Sequence, residues 1–435
     1  MRWYLFAVLI LIVALVFQLG LLAYAMYVLL GVMVVSRFVA RHWIENLSAV
    51  RECNCETAEI GEKAAVAVTV RNGGRLPVAW TLVEDSLPRQ AVVQRPPRLK
   101  VHNRRLMIAM LRRGGQKTML YQVEFLMRGY YQFGPLVLET GDLFGLHRRY
   151  RVATEPHFVL VYPRLVPLLG YDLASRRPVG EIRLTHRLYE DPTRIAGVRQ
   201  YQEGDPLNRV NWRATARTGL LHSKIYEPST IAGATIMLAF HRDEYPPANE
   251  PLRSELAVTT AASIANEVYL MGQQVGLMTN GRDAVDRIRQ EGWAHDYRSR
   301  GSAQANLNMS ERSDRLRPVI VPTRRGPEQL WRILEALARV ELTDGLSFDQ
   351  LVLETVSRLP RDATVIAVLP KVTPETALAL GSLKRRGYAV VGVLIVFEQF
   401  EFEEYAGRLL AQGIEARQVT DEAALSALCG QHLLR

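Results

Sequence analysis

The chain opens on an apolar stretch. Residues 3–36, reading WYLFAVLILIVALVFQ and then LGLLAYAMYVLLGVMVVS, are nearly free of charge. One upright membrane span needs about 20 apolar residues. This stretch is too long for one span and slightly short for two. Gln18, Leu19 and Gly20 mark a reversal, so the pattern predicts two short helices in a transmembrane hairpin over residues 1–42. Arg2 precedes the first helix, and Arg37, Arg41 and His42 follow the second. Positive charge on both flanks puts both ends in the cytoplasm. The competing reading, a cleaved leader, is disfavoured because the run is too long and lacks a small-x-small cleavage site near its end.

From about 50 to 165 the pattern alternates. AAVAVTVRN, PVAWTLVED, RLMIAMLRR, KTMLYQVEF and PLVLETG have strand character, and Asn72-Gly73, Arg-Gly-Gly and Gly-Asp punctuate them. Short strands with regular turn signals predict an antiparallel β-sandwich. Arg128 to Pro135 and Gly141 to Leu146 read as turn-rich aromatic segments that pack corners. Residues 166–198 carry many charges and few apolar runs and read as a linker or extended arm, so 166–230 form a linker with the aromatic-basic region described below.

From 231 to 435 strands and helices alternate. IAGATIMLAF, QQVGLMTN, ATVIAVLP and YAVVGVLIVF read as strands; LRSELAVTTAASIANEVYLMG, PEQLWRILEALARV, 347–358, TPETALALGSLKRRG, 401–412 and 421–433 read as helices. This order predicts a parallel sheet covered on both faces, a Rossmann-like α/β domain. Residues 281–317 are polar with almost no apolar clusters and read as a mobile loop.

At 435 residues the chain has room for two or three cores. Its formal charge of +10 suits nucleic acid or an anionic membrane surface. The apolar opening favours membrane lipid, and nucleic acid is not an expected partner. Cys53, Cys55 and Cys429 build no disulfide framework, and Cys53-x-Cys55 is too tight for a zinc knuckle. The pair reads as small residues flanking a strand.

Residues 199–226 concentrate aromatic and cationic groups: Arg199, Tyr201, Arg209, Trp212, Arg213, Arg217 and Lys224. Gly204-Asp205-Pro206 and Thr218-Gly219 supply turns. The expected local structure is a strand ending near Tyr201, a helical turn over 206–217 and a strand from Leu220 to Tyr226. Guanidinium groups beside rings stack and grip carboxylates. The partner-binding set is therefore Arg199, Tyr201, Asp205, Trp212, Arg213, Arg217 and Lys224. A structural reading stands beside it: Trp212 buried against a sheet, Arg213 and Arg217 bonding loops between domains, and Asp205 capping its turn.

Arg199-x-Tyr201-x-x-Gly204-Asp205-Pro206, followed by Val210-Asn211-Trp212-Arg213-Ala214-x-Ala216-Arg217-Thr218-Gly219, resembles the signature of the bacterial domain-of-unknown-function family number fifty-eight. The resemblance implies a membrane-anchored protein with a von Willebrand A-like α/β domain that works with a MoxR-type AAA+ ATPase. It also implies a place for Mg²⁺, bound in von Willebrand A folds through Asp-x-Ser-x-Ser after the first strand. Here that strand leads into Ala239-Phe240-His241-Arg242-Asp243-Glu244-Tyr245-Pro246, and the motif is missing. A later strand ends in Val368-Leu369-Pro370-Lys371, a cation where an acid is needed. Thr279 reads as a strand-end residue, and Asp243 and Glu244 as members of a solvated loop. No intact metal site and no cofactor are expected. Phosphate loops, Gly-x-Ser-x-Gly and His-Glu-x-x-His are missing as well, and His186, His222 and His241 read as structural. The expectation is a non-enzymatic protein-interaction adaptor at the inner or plasma membrane, its soluble domains in the cytoplasm. The alternative is a metal-dependent hydrolase at the carboxyl edge of the α/β sheet.

Overall fold

The computed structural model describes residues 2–168, 190–202, 210–228, 233–291, 316–360, 363–426 and 428. Two helices, α1 (Arg2–Val16) and α2 (Gly20–Asn46), pack side by side around a turn at Gln18, whose φ is 54°. The second is not short. It is long and apolar enough to cross a bilayer, whereas α1 is shorter. Its last turns leave the apolar stretch and bury Trp43 and Ile44 in the core of the next domain, which is why it outruns the expected boundary at residue 42. No loop follows, because β1 (Leu47–Cys53) begins at the next residue.

The sandwich contains β1, β2 (Thr57–Ala58), β3 (Lys63–Asn72), β4 (Val78–Asp85), a short α3 (Arg89–Val93), β5 (Leu99–His102), β6 (Leu106–Leu111), β7 (Gln116–Phe125), β8 (Gly129–Phe133), β9 (Leu136–Gly141), β10 (Arg148–Thr154) and β11 (His157–Val161). Two four-stranded sheets, ordered β1-β3-β7-β5 and β10-β9-β4-β6, are joined by a three-stranded sheet β2-β11-β8. Alternation decides which face goes inside. Ala64, Val66, Val68 and Val70 of β3 and Met119, Tyr121, Val123 and Phe125 of β7 point into one core with Val83, Leu136 and Leu138 of the facing sheet. Residues 129–133 form a strand rather than the expected corner turn, since Tyr131 and Phe133 alternate into that core.

Inside the core lies a charged group. Arg51 donates to both oxygens of Asp85, at 2.9 and 2.7 Å, and to the carbonyl of Phe133. The Tyr121 hydroxyl donates to Asp85 at 2.7 Å. Burial and the neighbouring carboxylate push that phenol far above its ordinary range.

Strands β12 (Glu190–Gln200) and β13 (His222–Pro228) pair as an antiparallel ribbon, and α4 (Trp212–Thr218) lies between them in sequence. The supposed linker thus ends in strand. The α/β region follows with β14 (Gly233–Leu238), α5 (Leu252–Leu270), β15 (Gln274–Thr279), β16 (Arg282–Asp283), α6 (Ala284–Glu291), β17 (Val319–Arg324), α7 (Pro327–Arg339), β18 (Val340–Glu341), α8 (Phe348–Thr355), β19 (Ala363–Leu369), α9 (Pro374–Arg385), β20 (Val390–Ile395), α10 (Gln399–Ala411), β21 (Glu415–Val419) and α11 (Glu422–Ser426). The polar stretch read as a loop from 281 therefore begins with β16 and α6. Arg287 explains part of this, donating to Glu341 of β18 at 2.7 and 3.0 Å. The rest of that stretch, 292–315, lies outside the described residues.

The six-stranded sheet runs β17-β15-β14-β19-β20-β21. All pairings are parallel except β17 with β15, so the sheet is mixed and not purely parallel. Every residue of β14 and β19 is buried, as a doubly covered strand requires. Ala234, Ile236 and Leu238 face α5 and α7, while Met237 faces the layer of α8, α9 and α10.

The two domains meet at Arg128, just before β8. This buried guanidinium donates to the carbonyls of Leu337, Ala338 and Val340 at the end of α7 and lies 3.4 Å from Glu255 of α5. It supplies cationic donors where a helix leaves carbonyls without partners. Tyr162 packs edge-on against Trp331 beside it.

Candidate functional site

Two places hold the chemistry. The first is the ribbon. Asn211 caps α4 by accepting from the Ala214 amide at 3.2 Å, and Gly219 closes it with φ 72°, a conformation that favours glycine. Thr215 accepts from the His222 amide and fastens the helix to β13. Tyr201 donates its amide to Leu221, and Lys224 pairs with Val198 across the ribbon. Arg199 lies on β12.

Trp212 is 68% exposed, and Arg213 and Arg217 are exposed beside it. Trp212 is therefore not buried against a sheet: α4 buries none of its residues, since a two-stranded ribbon offers no core. The structure brings Arg199, Tyr201, Trp212, Arg213, Arg217 and Lys224 onto one ribbon-and-helix unit. Asp205, and with it Gly204, Pro206 and Arg209, lies outside the described residues, as do His186 and Cys429.

The second place is the carboxyl edge of the six-stranded sheet. From β14 the chain winds outward to β15 and β17, then returns to β19 and winds the other way. Such a reversal leaves a crevice between the loops that follow the two central strands. A cavity of about 510 Å³ opens there, lined by Arg242 to Pro247, Arg253, Lys371, Glu401 and Tyr405. Arg253 is buried, donates to Glu401 at 2.8 Å and lies over the Phe397 ring. Glu244 departs from the expected solvated loop. Asp243 is exposed, but the Oε2 of Glu244 is sealed from solvent with no hydrogen-bond partner among the described residues. Burial, and then the charge of Asp349, pushes the Glu244 carboxyl up to about 8, against the opposing pull of Lys371. The group can therefore hold or release a proton near neutral pH.

Sequence reasoning missed this constellation because the seal comes from α8, a hundred residues along the chain, whose Phe348 and Asp349 sit against Glu244. Lys371 falls where the strand-end reading put it, and Thr279 ends β15 with its hydroxyl accepting from the Gly281 amide at 3.0 Å. His241 caps the turn that carries Glu244. Cys53 ends β1 and donates to the Cys55 carbonyl. No group of three or more His, Cys, Asp or Glu side chains able to hold a metal ion occurs among the described residues.

Fold and site together define an apolar helical hairpin carrying an antiparallel sandwich and an α/β unit, with an exposed aromatic-basic ribbon inserted before the latter. Residues 197–298, a stretch that includes Trp212 and Glu244, match the family described as Protein of unknown function DUF58. The uncharacterized protein YeaD of Bacillus subtilis (strain 168) is 24% identical over 271 residues, covering 62% of this chain. The chain spans 65% of that relative's length. Among solved structures, the CARDB domain of the PF1109 protein from Pyrococcus furiosus aligns with a TM-score of 0.18 and 14% identity, over 26% of this chain and 91% of that one. A cohesin module from Clostridium perfringens aligns with a TM-score of 0.19 and 11% identity, over 26% and 96%. Likenesses at such TM-scores carry no argument.

Proposed function

We propose that this protein is a non-enzymatic adaptor, anchored in the cytoplasmic membrane by α1 and α2, that grips another protein through the Trp212 ribbon. The observation that carries this reading is the exposure of Trp212 on the same short helix as the exposed Arg213 and Arg217, with Leu220 and Leu221 also exposed. Trp and Arg are the side chains that dominate interface energies, and an unburied Trp in a folded helix has no use within its own chain. Arg37 and Arg41 after the apolar stretch support a cytoplasmic orientation. The sheet order, with its reversal beside β14, supports a von Willebrand A-like unit whose acidic cation ligands have been replaced, Lys371 among the replacements. The proposed partner is a MoxR-type AAA+ ATPase, as the family resemblance implies.

Crosslinking from a photoreactive residue at position 213 in native membranes tests the reading. An AAA+ ATPase is expected among the products, and Trp212→Ala is expected to abolish it. Products that never include an AAA+ protein, or that Trp212→Ala leaves unchanged, would sink the proposal.

The second reading, a metal-dependent hydrolase working in the crevice, is disfavoured by the raised, sealed Glu244 carboxyl beside Lys371. That reading expects Mg²⁺ or Mn²⁺ to raise the melting temperature of the wild type and not of Glu244→Gln. Equal responses would dismiss it.

A further inference from the structure

We propose that the β9–β10 turn, residues 142–147, is a second membrane contact that dips its tip into the lipid beside α2. The inference rests on the anchoring reading above, and the experiment below separates the two. Asp142 organises the turn, accepting from the amides of Phe144, Leu146 and His147. A turn ordered this firmly nevertheless presents Leu143 at 71%, Phe144 at 69% and Leu146 at 48% exposure. Three large apolar side chains on one rigid tip are costly in water and need a nonaqueous partner.

The direction of the hairpin identifies that partner. Arg151, on β10, donates to the carbonyls of Glu45 and Leu47 at the end of α2. His147, just before β10, is held by the Ser36 hydroxyl of α2 and the Tyr4 hydroxyl of α1, both at 3.0 Å. Moving from Arg151 to His147 is therefore a descent along α2 from Glu45 to Ser36. The two measures agree: about 13 Å by strand rise and about 13 Å by helix rise. Ser36 is the last residue before Arg37, the first charge on α2, so His147 stands where the helix enters its apolar stretch. The tip continues in the same direction, towards the level on α2 at which Val34 and Val35 are exposed.

Charge at this end of the sandwich fits a lipid surface. The β3–β4 and β6–β7 turns present exposed Arg75, Arg112 and Arg113. The Asn72 side chain, one residue before the first of these turns, donates to the carbonyl of Arg112 and so holds the two turns together. Basic side chains around an apolar tip match an anionic headgroup layer over hydrocarbon. A protein partner would lack the continuity with the apolar helix surface.

The test uses the full chain with Cys53, Cys55 and Cys429 changed to Ser, in vesicles of phosphatidylcholine with one quarter phosphatidylglycerol. An environment-sensitive fluorophore is placed at Phe144→Cys, at Val28→Cys in mid-α2 and at Leu378→Cys on α9, with Leu143→Cys as a second tip position. Nitroxide lipids labelled near the headgroup are expected to quench about half of the tip emission, which is blue-shifted as for a side chain about 5–10 Å deep. Val28→Cys is expected to respond most to nitroxides near the acyl terminus, and Leu378→Cys to neither. If Val28→Cys is quenched while both tip positions behave like Leu378→Cys, the second contact is wrong and the anchor stands. A blue-shifted but unquenched tip means that protein covers it, which also overturns the proposal. Loss of quenching at Val28→Cys as well removes anchor and tip together.

Discussion

Two carboxylates, one buried and one half-buried, show how environment sets a residue's cost. Asp85 has Arg51 and Tyr121 on its oxygens, so its charge is compensated. Arg51→Met leaves that charge in the core with the Tyr121 hydroxyl but no cation. A loss of about 3–5 kcal/mol is expected, seen as a large fall in denaturation midpoint by urea titration in detergent. Glu244 differs: the Phe348 backbone bonds its carboxylate, but its sealed Oε2 has no hydrogen-bond partner among the described residues. Its folded value near 8 lies above the ordinary 4.5, so below 4.5 both folded and unfolded chains hold the proton and pH has no effect. Between 4.5 and about 8 the unfolded chain loses the proton first, and stability falls as pH rises. Glu244→Gln is expected to flatten that decline and to be more stable than the wild type at pH values above 8, in paired thermal melts across the range. A parallel decline in both proteins would place the proton elsewhere.

At the scale of elements, legibility followed periodicity. The strand and helix patterns that begin at Ala64 and Leu252 appear as β3 and α5 because their apolar spacing matches the burial it produces. Strands β17 and β21 escaped notice: Pro322 and Arg417 interrupt runs whose neighbours in the sheet, and not their own composition, make them strands. Arg417 is itself buried, donating to Glu415 and to the Leu428 carbonyl. The aromatic-basic cluster was readable from residue types, but the exposure of Trp212 was not, since exposure depends on what a ribbon can cover. Thr373, before Pro374, caps α9. Thr373 accepts from the Thr376 amide at 3.2 Å, and Thr373→Ala is expected to cost about 1 kcal/mol, measured by chemical denaturation. Arg151 plays a comparable part at the other end of a helix. Arg151→Ala is expected to speed amide exchange in β1 at Leu47 and its neighbours, because the last carbonyls of α2 lose their donor.

Across the whole molecule the sandwich lies between α2 and the α/β region. Strand β3 reaches the end of α2 at Asn72, where the Gly73 amide donates to the Asn46 carbonyl. Its neighbour β7 runs from that end at Gln116 to Phe125, and Arg128 beyond it plugs into α7. A ten-residue strand separates the two attachment points by about 30 Å. Arg128→Ala removes three hydrogen bonds and strands Glu255, so the two folds are expected to melt in separate steps by calorimetry, with faster proteolysis between Tyr162 and Leu168. A single unchanged transition would mean that Tyr162 on Trp331 suffices.

The direct passage of α2 into β1 has a mechanical consequence. With no slack between helix and strand, and with His147 and Arg151 bracing the shaft, the mast and its platform turn as one piece. In the anchored arrangement proposed above, any lean that lipid imposes on the hairpin is passed through the sandwich to Arg128. A stretched or thinned bilayer would then reposition whatever the far domain carries, without any joint in between having to bend.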